Sequence, residues 1–106
     1  MIELKRISCA QASVLCRDAE TQIIDIRDSG SFAAAHIALA SHIDNATLQG
    51  FVASANSDKP LVIYCYHGNS SQQAGQFFIQ QGFTEVYSVD GGFEQWRVEH
   101  PEDLAN

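Results

Sequence analysis

Short apolar runs separated by amphipathic stretches constrain the fold of this 106-residue chain more than any other feature. Ile23, Ile24 and Ile26 form one nearly continuous β-branched run, and L-V-I-Y at residues 61–64 forms another. Runs of this length and composition are typical of strands that are covered on both faces. The stretches between the runs place apolar residues at helical spacing. Strands that alternate with helices predict an α/β fold, in which helices lie on both faces of a central, mostly parallel, five-stranded sheet.

The predicted elements follow one another without a linker or a repeat, so we expect a single domain over residues 1–106. Strands are predicted at residues 4–8, 21–27, 41–43, 61–65 and 85–89. Helices are predicted to begin after Ser8, after Asp28 or Ser29, after Asp44 or Asn45, near Ser71 and near Phe93. Ser8 and Gln11 have the spacing of a capping box. Gly82 is typical of a left-handed helix C-terminus, and Pro101 ends the last helix.

The composition excludes several classes of function. A net charge of −7 argues against nucleic acid, which binds clustered Lys and Arg side chains. No stretch approaches the ~20 apolar residues of a membrane helix, and the N-terminus lacks the apolar core of a secretory signal. Three cysteines cannot form a complete set of disulfides, and reduced thiols fit a reducing compartment. We therefore expect a cytoplasmic protein that binds neither nucleic acid nor a membrane.

Most of the cysteines and histidines lack the spacing of a reactive or metal-binding site. Cys9 and Cys16 have no C-x-x-C spacing and no histidine near them in the sequence, so we interpret both as structural. His36, His42 and His100 show no metal-binding spacing with one another, and we predict no metal site.

Cys65 is different, because it ends a predicted buried strand and begins the polar stretch C-Y-H-G-N-S-S, residues 65–71. Ligands of parallel sheets bind beyond the carboxyl ends of the strands. Arg27 also lies at the carboxyl end of a predicted strand, so both residues are expected at the edge where a ligand would bind. The stretch leads into a helix, whose N-terminus carries roughly half a positive charge. Gly68 and the small residues after it let successive N–H groups point inward as an anion nest. This setting predicts a nucleophilic thiolate, with a buried, inert cysteine as the alternative.

The absence of a cation from this stretch argues against phosphate as the substrate. A cysteine phosphatase needs an arginine six residues after the cysteine, where its guanidinium grips phosphate with two donors. This chain has Ser71 at that position, and residues 65–71 contain neither Arg nor Lys. His67 either adds positive charge near the thiolate or is an exposed loop histidine.

Four segments in order resemble the rhodanese family of thiosulfate sulfurtransferases, and the resemblance covers nearly the whole chain. They are I-I-D-I-R-D at residues 23–28, S-F-A-A-A-H-I at 31–37, V-I-Y-C with its loop at 62–71, and V-D-G-G-F-E-Q-W at 89–96. The loop and the last segment are most similar to small single-domain bacterial members. Two residues depart from the family pattern, since Ala35 replaces a usual glycine and Ser31 a common acidic residue. Arg27 therefore lacks the family's carboxylate partner, and its role, as a site cation or in a structural ion pair, stays open.

The resemblance implies a sulfurtransferase that needs no metal and no organic cofactor. Cys65 would be the catalytic nucleophile, which takes sulfur from thiosulfate as a persulfide and passes it to cyanide or to a thioredoxin-like dithiol. The implied substrate-binding residues are Tyr66, His67, Gly68, Asn69, Ser70, Ser71 and Arg27. The alternatives are a persulfide carrier in a protein relay, a cysteine phosphatase or arsenate-reductase-like enzyme, and an inactive interaction domain.

Overall fold

A sheet of five parallel strands forms the centre of the computed structural model, which describes residues 2–106. Numbered along the chain, the strands are β1 (Lys5–Ile7), β2 (Gln22–Asp25), β3 (His36–Ile37), β4 (Ser41–His42), β5 (Leu61–Tyr64), β6 (Val86–Val89) and β7 (Leu104–Ala105). The five-stranded sheet has the order β1-β6-β5-β2-β4, and each neighbouring pair is parallel. The predicted α/β architecture is confirmed.

Five helices connect the strands. They are α1 (Cys9–Leu15), α2 (Ser29–Ala34), α3 (Leu48–Ser54), α4 (Ser70–Gln80) and α5 (Gly92–Glu99), and a 3₁₀ turn follows at Pro101–Asp103. The predicted capping box of Ser8 and Gln11 starts α1, because each side chain accepts a hydrogen bond from the other residue's backbone N–H. Within residues 2–106, no helix is both long and apolar enough to cross a membrane.

Strand β5 lies at the middle of the sheet, and its side chains alternate between two cores. Leu61 and Ile63 point to one face, where Phe78 of α4 and partly buried residues of α3 cover them. Val62 and Tyr64 point to the other face, against buried residues of α1 and α5. Each fully buried aliphatic or aromatic side chain stabilises the fold by roughly 1.5–3 kcal/mol. Burial on both faces explains why this strand is a continuous apolar run.

The parallel arrangement brings three loops to one edge of the sheet. The chain continues from the carboxyl end of β2 to Arg27, from β5 to Cys65, and from β6 to Gly91 and Gly92. Since β5 is hydrogen-bonded to both β2 and β6, these three strand ends are neighbours. This edge is therefore where a ligand site is expected.

Two local features differ from the sequence prediction. The third helix begins at Leu48, not directly after Asp44 or Asn45, because residues 45–47 form a turn in which the Asp44 carboxylate accepts the N–H groups of Ala46 and Thr47, as a helix cap does. Strands β3 and β7 form a separate antiparallel pair, which was not predicted. Each has two residues, too few to show a strand period.

Candidate active site

The Cys65 sulfur lies at the base of a ring of hydrogen-bond donors. Cys65 follows β5 directly and is 5% exposed. Its Sγ accepts the backbone N–H of Gly68 at 3.2 Å and that of Ser71 at 3.4 Å. The Ser71 hydroxyl oxygen lies 3.5 Å from the same sulfur. The polar loop thus folds back over the thiol that begins it, which is the geometry of an anion nest.

These donors shift the titration of the Cys65 thiol. Burial raises its pKa, since a thiolate loses hydration in the protein interior. Hydrogen bonds from the Ser71 hydroxyl and from the N–H groups of Ser71, Gly68 and His67 outweigh burial, so the pKa lies below its ordinary value. The thiolate is the form that acts as a nucleophile.

The loop leads into α4, whose first turn points at the thiol. Ser70 and Ser71 are the first two residues of this 11-residue helix. Its cap residue Asn69 makes no side-chain hydrogen bond to the first turn, so the first N–H groups are not satisfied by a cap. One of them, from Ser71, is directed to the Cys65 sulfur. The positive end of the helix therefore adds to the field that favours a thiolate or a bound anion.

Gly68 gives the loop its curvature. Its φ is +94°, a conformation that other residues rarely adopt. A Cβ at this position would lie 2.9 Å from the Val89 carbonyl oxygen and 3.0 Å from the Gly91 nitrogen. Only glycine lets the loop lie this close to the segment after β6.

The Gly91–Gly92 segment supports the loop from behind. The N–H groups of Phe93 and Glu94 donate to the carbonyl oxygens of Cys65 and Tyr66 at 2.8 and 3.0 Å. Gly92 has a φ of +58°, and a Cβ there would lie 2.6 Å from the Cys65 carbonyl oxygen. The first turn of α5 therefore holds the loop of residues 65–71 through main-chain contacts that a side chain at Gly92 would obstruct.

Tyr66 forms a wall at the mouth of the site. A cavity of about 140 Å³ is lined by Cys65, Tyr66, His67, Asn69 and Ser70. Tyr66 is 38% exposed, and its hydroxyl bonds the Asp28 carboxylate and the Ser31 hydroxyl, the latter at 2.7 Å. The bond from Tyr66 and those from Ser31 lower the pKa of Asp28 to about 2. Asp28 is also the N-cap of α2, so this contact ties the loop to that helix.

Arg27 lies outside that cavity, in a buried ion pair. Its Nη2 lies 2.6 Å from the Asp25 carboxylate and donates to the Ala35 carbonyl oxygen at 2.7 Å. Its guanidinium carbon stands 3.8 Å from the centre of the Phe93 ring. Arg27 lacks the carboxylate that the family provides at position 31, where this chain has Ser31, but it pairs with Asp25. The geometry favours the structural ion pair over the site cation.

Ser71 also lies outside the cavity lining, behind the Cys65 sulfur. There it contacts Ser88, a residue for which the sequence analysis predicted no role. Ser71 and Ser88 are both fully buried, and their hydroxyl oxygens are 2.7 Å apart. Ser88 belongs to β6 and is the polar residue of V-Y-S-V. Its role could have been suspected from the sequence, because a serine at a buried position of an apolar strand needs a hydrogen-bond partner.

The other two thiols are in settings that oppose ionisation. Cys9 is fully buried and its Sγ contacts the carbonyl oxygens of Asp90 and Gly92. Burial, and then the charges of Glu99 and Asp90, raise its pKa to about 11. Burial, and then Asp103, raise the pKa of Cys16 to about 12. These environments fit the structural interpretation of both residues.

Larger surface cavities lie away from Cys65, including one of about 280 Å³ beside Lys5 and Thr84. Another, of about 220 Å³, is lined by Trp96, Asp103 and Cys16, whose thiol is not ionised near neutral pH. A third, of about 250 Å³, lies between α3 and α4 and is lined mainly by apolar side chains such as Leu48 and Phe77. The small cavity at Cys65 is the one that contains a thiol with a lowered pKa.

The Rhodanese-like domain family matches residues 8–99, and the chain belongs to this family. A protein named Thiosulfate sulfurtransferase GlpE, from Pseudomonas aeruginosa (strain LESB58), is 53% identical over 102 residues, which cover 96% of this chain and 92% of that protein. A protein of the same name from Stutzerimonas stutzeri (strain A1501) is 50% identical over 106 residues, 100% of this chain and 96% of that protein. The resemblance to small bacterial rhodaneses is confirmed.

Solved structures share the fold. The crystal structure of a rhodanese-related protein from Thermoplasma volcanium has a TM-score of 0.76 at 26% identity, covering 91% of this chain and 93% of that one. Reduced Bacillus anthracis CoADR-RHD has a TM-score of 0.83 at 20% identity, covering 97% of this chain and 18% of that one. The second similarity concerns the fold alone.

Proposed function

We propose that this protein is a thiosulfate sulfurtransferase that works through a persulfide on Cys65. The observation that carries the proposal is the Cys65 sulfur, buried under a 140 Å³ cavity and bonded by the N–H groups of Gly68 and Ser71. Relatives about 50% identical over nearly the whole chain, all named thiosulfate sulfurtransferase, support the activity and the substrate.

In the first half of the reaction, the Cys65 thiolate attacks the outer sulfur of thiosulfate. A bond forms between the two sulfurs, the sulfur–sulfur bond of thiosulfate breaks, and sulfite leaves with the electron pair. The product is a Cys65 persulfide anion, so no proton is needed to balance the step. N–H donors directed at the reacting sulfur stabilise the charge that moves through the cavity.

In the second half, a thiophilic acceptor attacks the outer sulfur of the persulfide. With cyanide, the carbon–sulfur bond forms, the bond to Cys65 breaks, and thiocyanate leaves while the thiolate returns. A thioredoxin-like dithiol is the acceptor we propose in the cell. The donors that lower the pKa of Cys65 act here too, because they stabilise the thiolate as a leaving group.

The residues of the loop have separate roles in this proposal. Tyr66, His67, Asn69 and Ser70 line the cavity and contact the substrate. Gly68 and Ser71 bind the Cys65 sulfur. Arg27 acts at a distance, since its ion pair with Asp25 fixes the end of the neighbouring strand.

A phosphatase is the weaker candidate for this loop. Residues 65–71 contain no Arg or Lys, and Ser71, at the position of a phosphatase arginine, is fully buried and bonded to Ser88. A phosphate dianion would therefore meet no fixed cation in the loop. A persulfide carrier needs the same thiol and the same donors, and it differs only in taking sulfur from a protein.

We further propose that residues 1–106 form one domain in the cytoplasm. The single five-stranded sheet supports this, because both cores lie against it. The three free cysteines fit a reducing compartment.

The test is the steady-state release of sulfite and thiocyanate from thiosulfate and cyanide, with Cys65→Ser as the control. We expect turnover by the wild type and none by the variant. Equal rates would refute the site. Turnover of a phosphate monoester would favour the phosphatase, and transfer only from a protein persulfide would favour the carrier.

A further inference from the structure

Two buried hydroxyl groups connect the catalytic thiol to the neighbouring strand. The Ser71 hydroxyl oxygen lies 3.5 Å from the Cys65 sulfur and 2.7 Å from the Ser88 hydroxyl oxygen. Ser71 and Ser88 are both fully buried. Within residues 2–106, the contact with Ser71 is the only side-chain hydrogen bond of Ser88.

Counting protons shows which form of Cys65 this chain of groups favours. With a thiolate, the Ser88 hydroxyl donates to Ser71 and the Ser71 hydroxyl donates to the sulfur, so both protons are bonded. With a thiol there are three protons but only two contacts between the three groups. The third proton has no partner within this chain of groups and points into the cavity. Both contacts are kept in the thiolate form, and the one to sulfur is stronger there because its acceptor is charged.

We propose that Ser88 is a positioning residue of the sulfurtransferase reaction, which orients the Ser71 hydroxyl so that its proton points at the Cys65 sulfur and favours the thiolate. This inference rests on the proposed function. In the first half of the reaction Ser88 increases the fraction of attacking thiolate. In the second half it stabilises the same thiolate as it leaves the persulfide.

The charged groups around the site are held by other partners. Arg27 pairs with Asp25 at the end of β2, and Asp90 after β6 pairs with Arg6. The one titratable group that the loop itself adds besides Cys65 and Tyr66 is His67, which lines the cavity. Glu94, in the first turn of α5, pairs with Arg97, and the α4 sequence has no charged residue. Among residues 2–106, no charged side chain is hydrogen-bonded to Ser71 or Ser88.

The experiment measures the rate of Cys65 alkylation by iodoacetamide against pH, read from the mass of the peptide that contains Cys65. Ser88→Ala should raise the apparent pKa of Cys65 and slow alkylation, at pH values below it, by roughly three- to tenfold, the effect of one hydrogen bond. Ser13→Ala is the matched control, since Ser13 is 4% exposed and bonds Asp103 instead. Its profile should equal that of the wild type.

A double variant separates the hydrogen-bond chain from a general structural effect. Ser88→Ala should add nothing to the pKa shift of Ser71→Ala, because Ser88 acts only through the Ser71 hydroxyl. Additive shifts, or an unchanged profile for folded Ser88→Ala, would overturn the proposal. Persulfide formation is measured separately. Wild-type protein that alkylates as expected but takes no sulfur from thiosulfate would refute the proposed function, while the effect of Ser88 on the pKa of Cys65 would stand.

A measurement on the wild type does not depend on whether a variant folds. The ¹³Cβ resonances of Ser71 and Ser88 should both titrate with the midpoint found for Cys65 alkylation, while that of Ser13 should not. A Ser88 resonance that stays constant while Cys65 ionises would contradict the proposal.

Discussion

Cys65 and Cys9 are both buried thiols, yet their surroundings drive their ionisation in opposite directions. The Cys65 sulfur accepts N–H groups, whereas the Cys9 sulfur faces two carbonyl oxygens, which repel a thiolate. Burial alone raises the pKa of either thiol. The direction of the neighbouring dipoles therefore decides which cysteine can react.

This contrast predicts selective alkylation of the native protein. Near neutral pH, iodoacetamide should modify Cys65 and leave Cys9 and Cys16, whose pKa values are raised to about 11 and 12. The rate at Cys65 should fall as the pH falls through its pKa, because protonation removes the thiolate. Peptide mass spectrometry reads all three sites, and modification of Cys9 or Cys16 at a comparable rate would contradict the assignment.

The ion pair of Arg27 and Asp25 predicts a large loss of stability when one partner is removed. Arg27→Met should lower the free energy of unfolding by roughly 3–5 kcal/mol, because the Asp25 carboxylate would remain buried without its cation. Lys59→Ala breaks the exposed pair with Glu20 and should cost about 0–1 kcal/mol. Urea unfolding compares the two variants. A small loss for Arg27→Met, together with a raised KM for thiosulfate, would instead indicate a site cation.

The sequence predicts Cys65 as the candidate nucleophile but does not predict the hydroxyl groups that lie around it. The polar loop after a buried strand is visible in the sequence because it interrupts an apolar pattern. Asp25 and Arg27 are two residues apart, the spacing of side chains on one face of a strand, so their pairing could have been predicted. The contact of Ser88 with Ser71 could not, because it depends on how far α4 lies from β6.

Among the elements, the first turn of α5 supports the loop at Cys65 through main-chain hydrogen bonds from Phe93 and Glu94. Gly91 is the N-cap of α5 and Gly92 is its first residue, and the close approach of the loop explains the glycine at position 92. Gly92 passes within van der Waals range of the Cys65 and Tyr66 carbonyl groups. The loop and the turn therefore depend on each other for their conformation.

Gly92→Ala should reduce sulfur transfer at least tenfold, because the new methyl group would displace the carbonyl groups of Cys65 and Tyr66. Gly82→Ala is the matched control, since Gly82 also has a positive φ, of +102°, but a Cβ there meets no atom within 4 Å. Both variants should lose about 1–2 kcal/mol through backbone strain. The measurement is the turnover rate of each variant per amount of folded protein. Equal rates for Gly92→Ala and Gly82→Ala would show that the close contact at Gly92 does not affect activity.

Elements with several residues of regular pattern could be predicted from the sequence, whereas of the three two-residue strands only β4 was predicted. The five strands of the main sheet and the five helices follow from apolar periodicity and capping residues. The regular part of α3 starts a few residues after the predicted cap, because residues 45–47 form a turn on the Asp44 side chain. The β3–β7 pair joins segments more than sixty residues apart, which local pattern does not reveal.

At the scale of the whole molecule, the net charge opposes the substrate. The chain carries a net charge of −7, and thiosulfate is a dianion. The donors at Cys65 are local N–H and hydroxyl groups, which act only within the cavity. Association is therefore governed by long-range repulsion, and binding by short-range hydrogen bonds.

This separation predicts the effect of ionic strength. Moderate salt should lower the apparent KM for thiosulfate, because the screening length falls to about 10 Å at 0.1 M and the repulsion weakens. The apparent KM is obtained from initial rates at several concentrations of an inert salt. The control is alkylation of Cys65 by the uncharged reagent iodoacetamide, whose rate should depend little on ionic strength. A KM that rises steadily with ionic strength would contradict the account.

The central claim is that sulfur is carried on Cys65, and intact mass spectrometry tests it most directly. Protein mixed with thiosulfate in the absence of an acceptor should gain the mass of one sulfur atom and release one equivalent of sulfite, and cyanide should reverse the gain. Fragmentation should place the sulfur on Cys65, and Cys65→Ser should show neither product. An unchanged wild-type mass, or sulfur on Cys9 or Cys16, would contradict the mechanism.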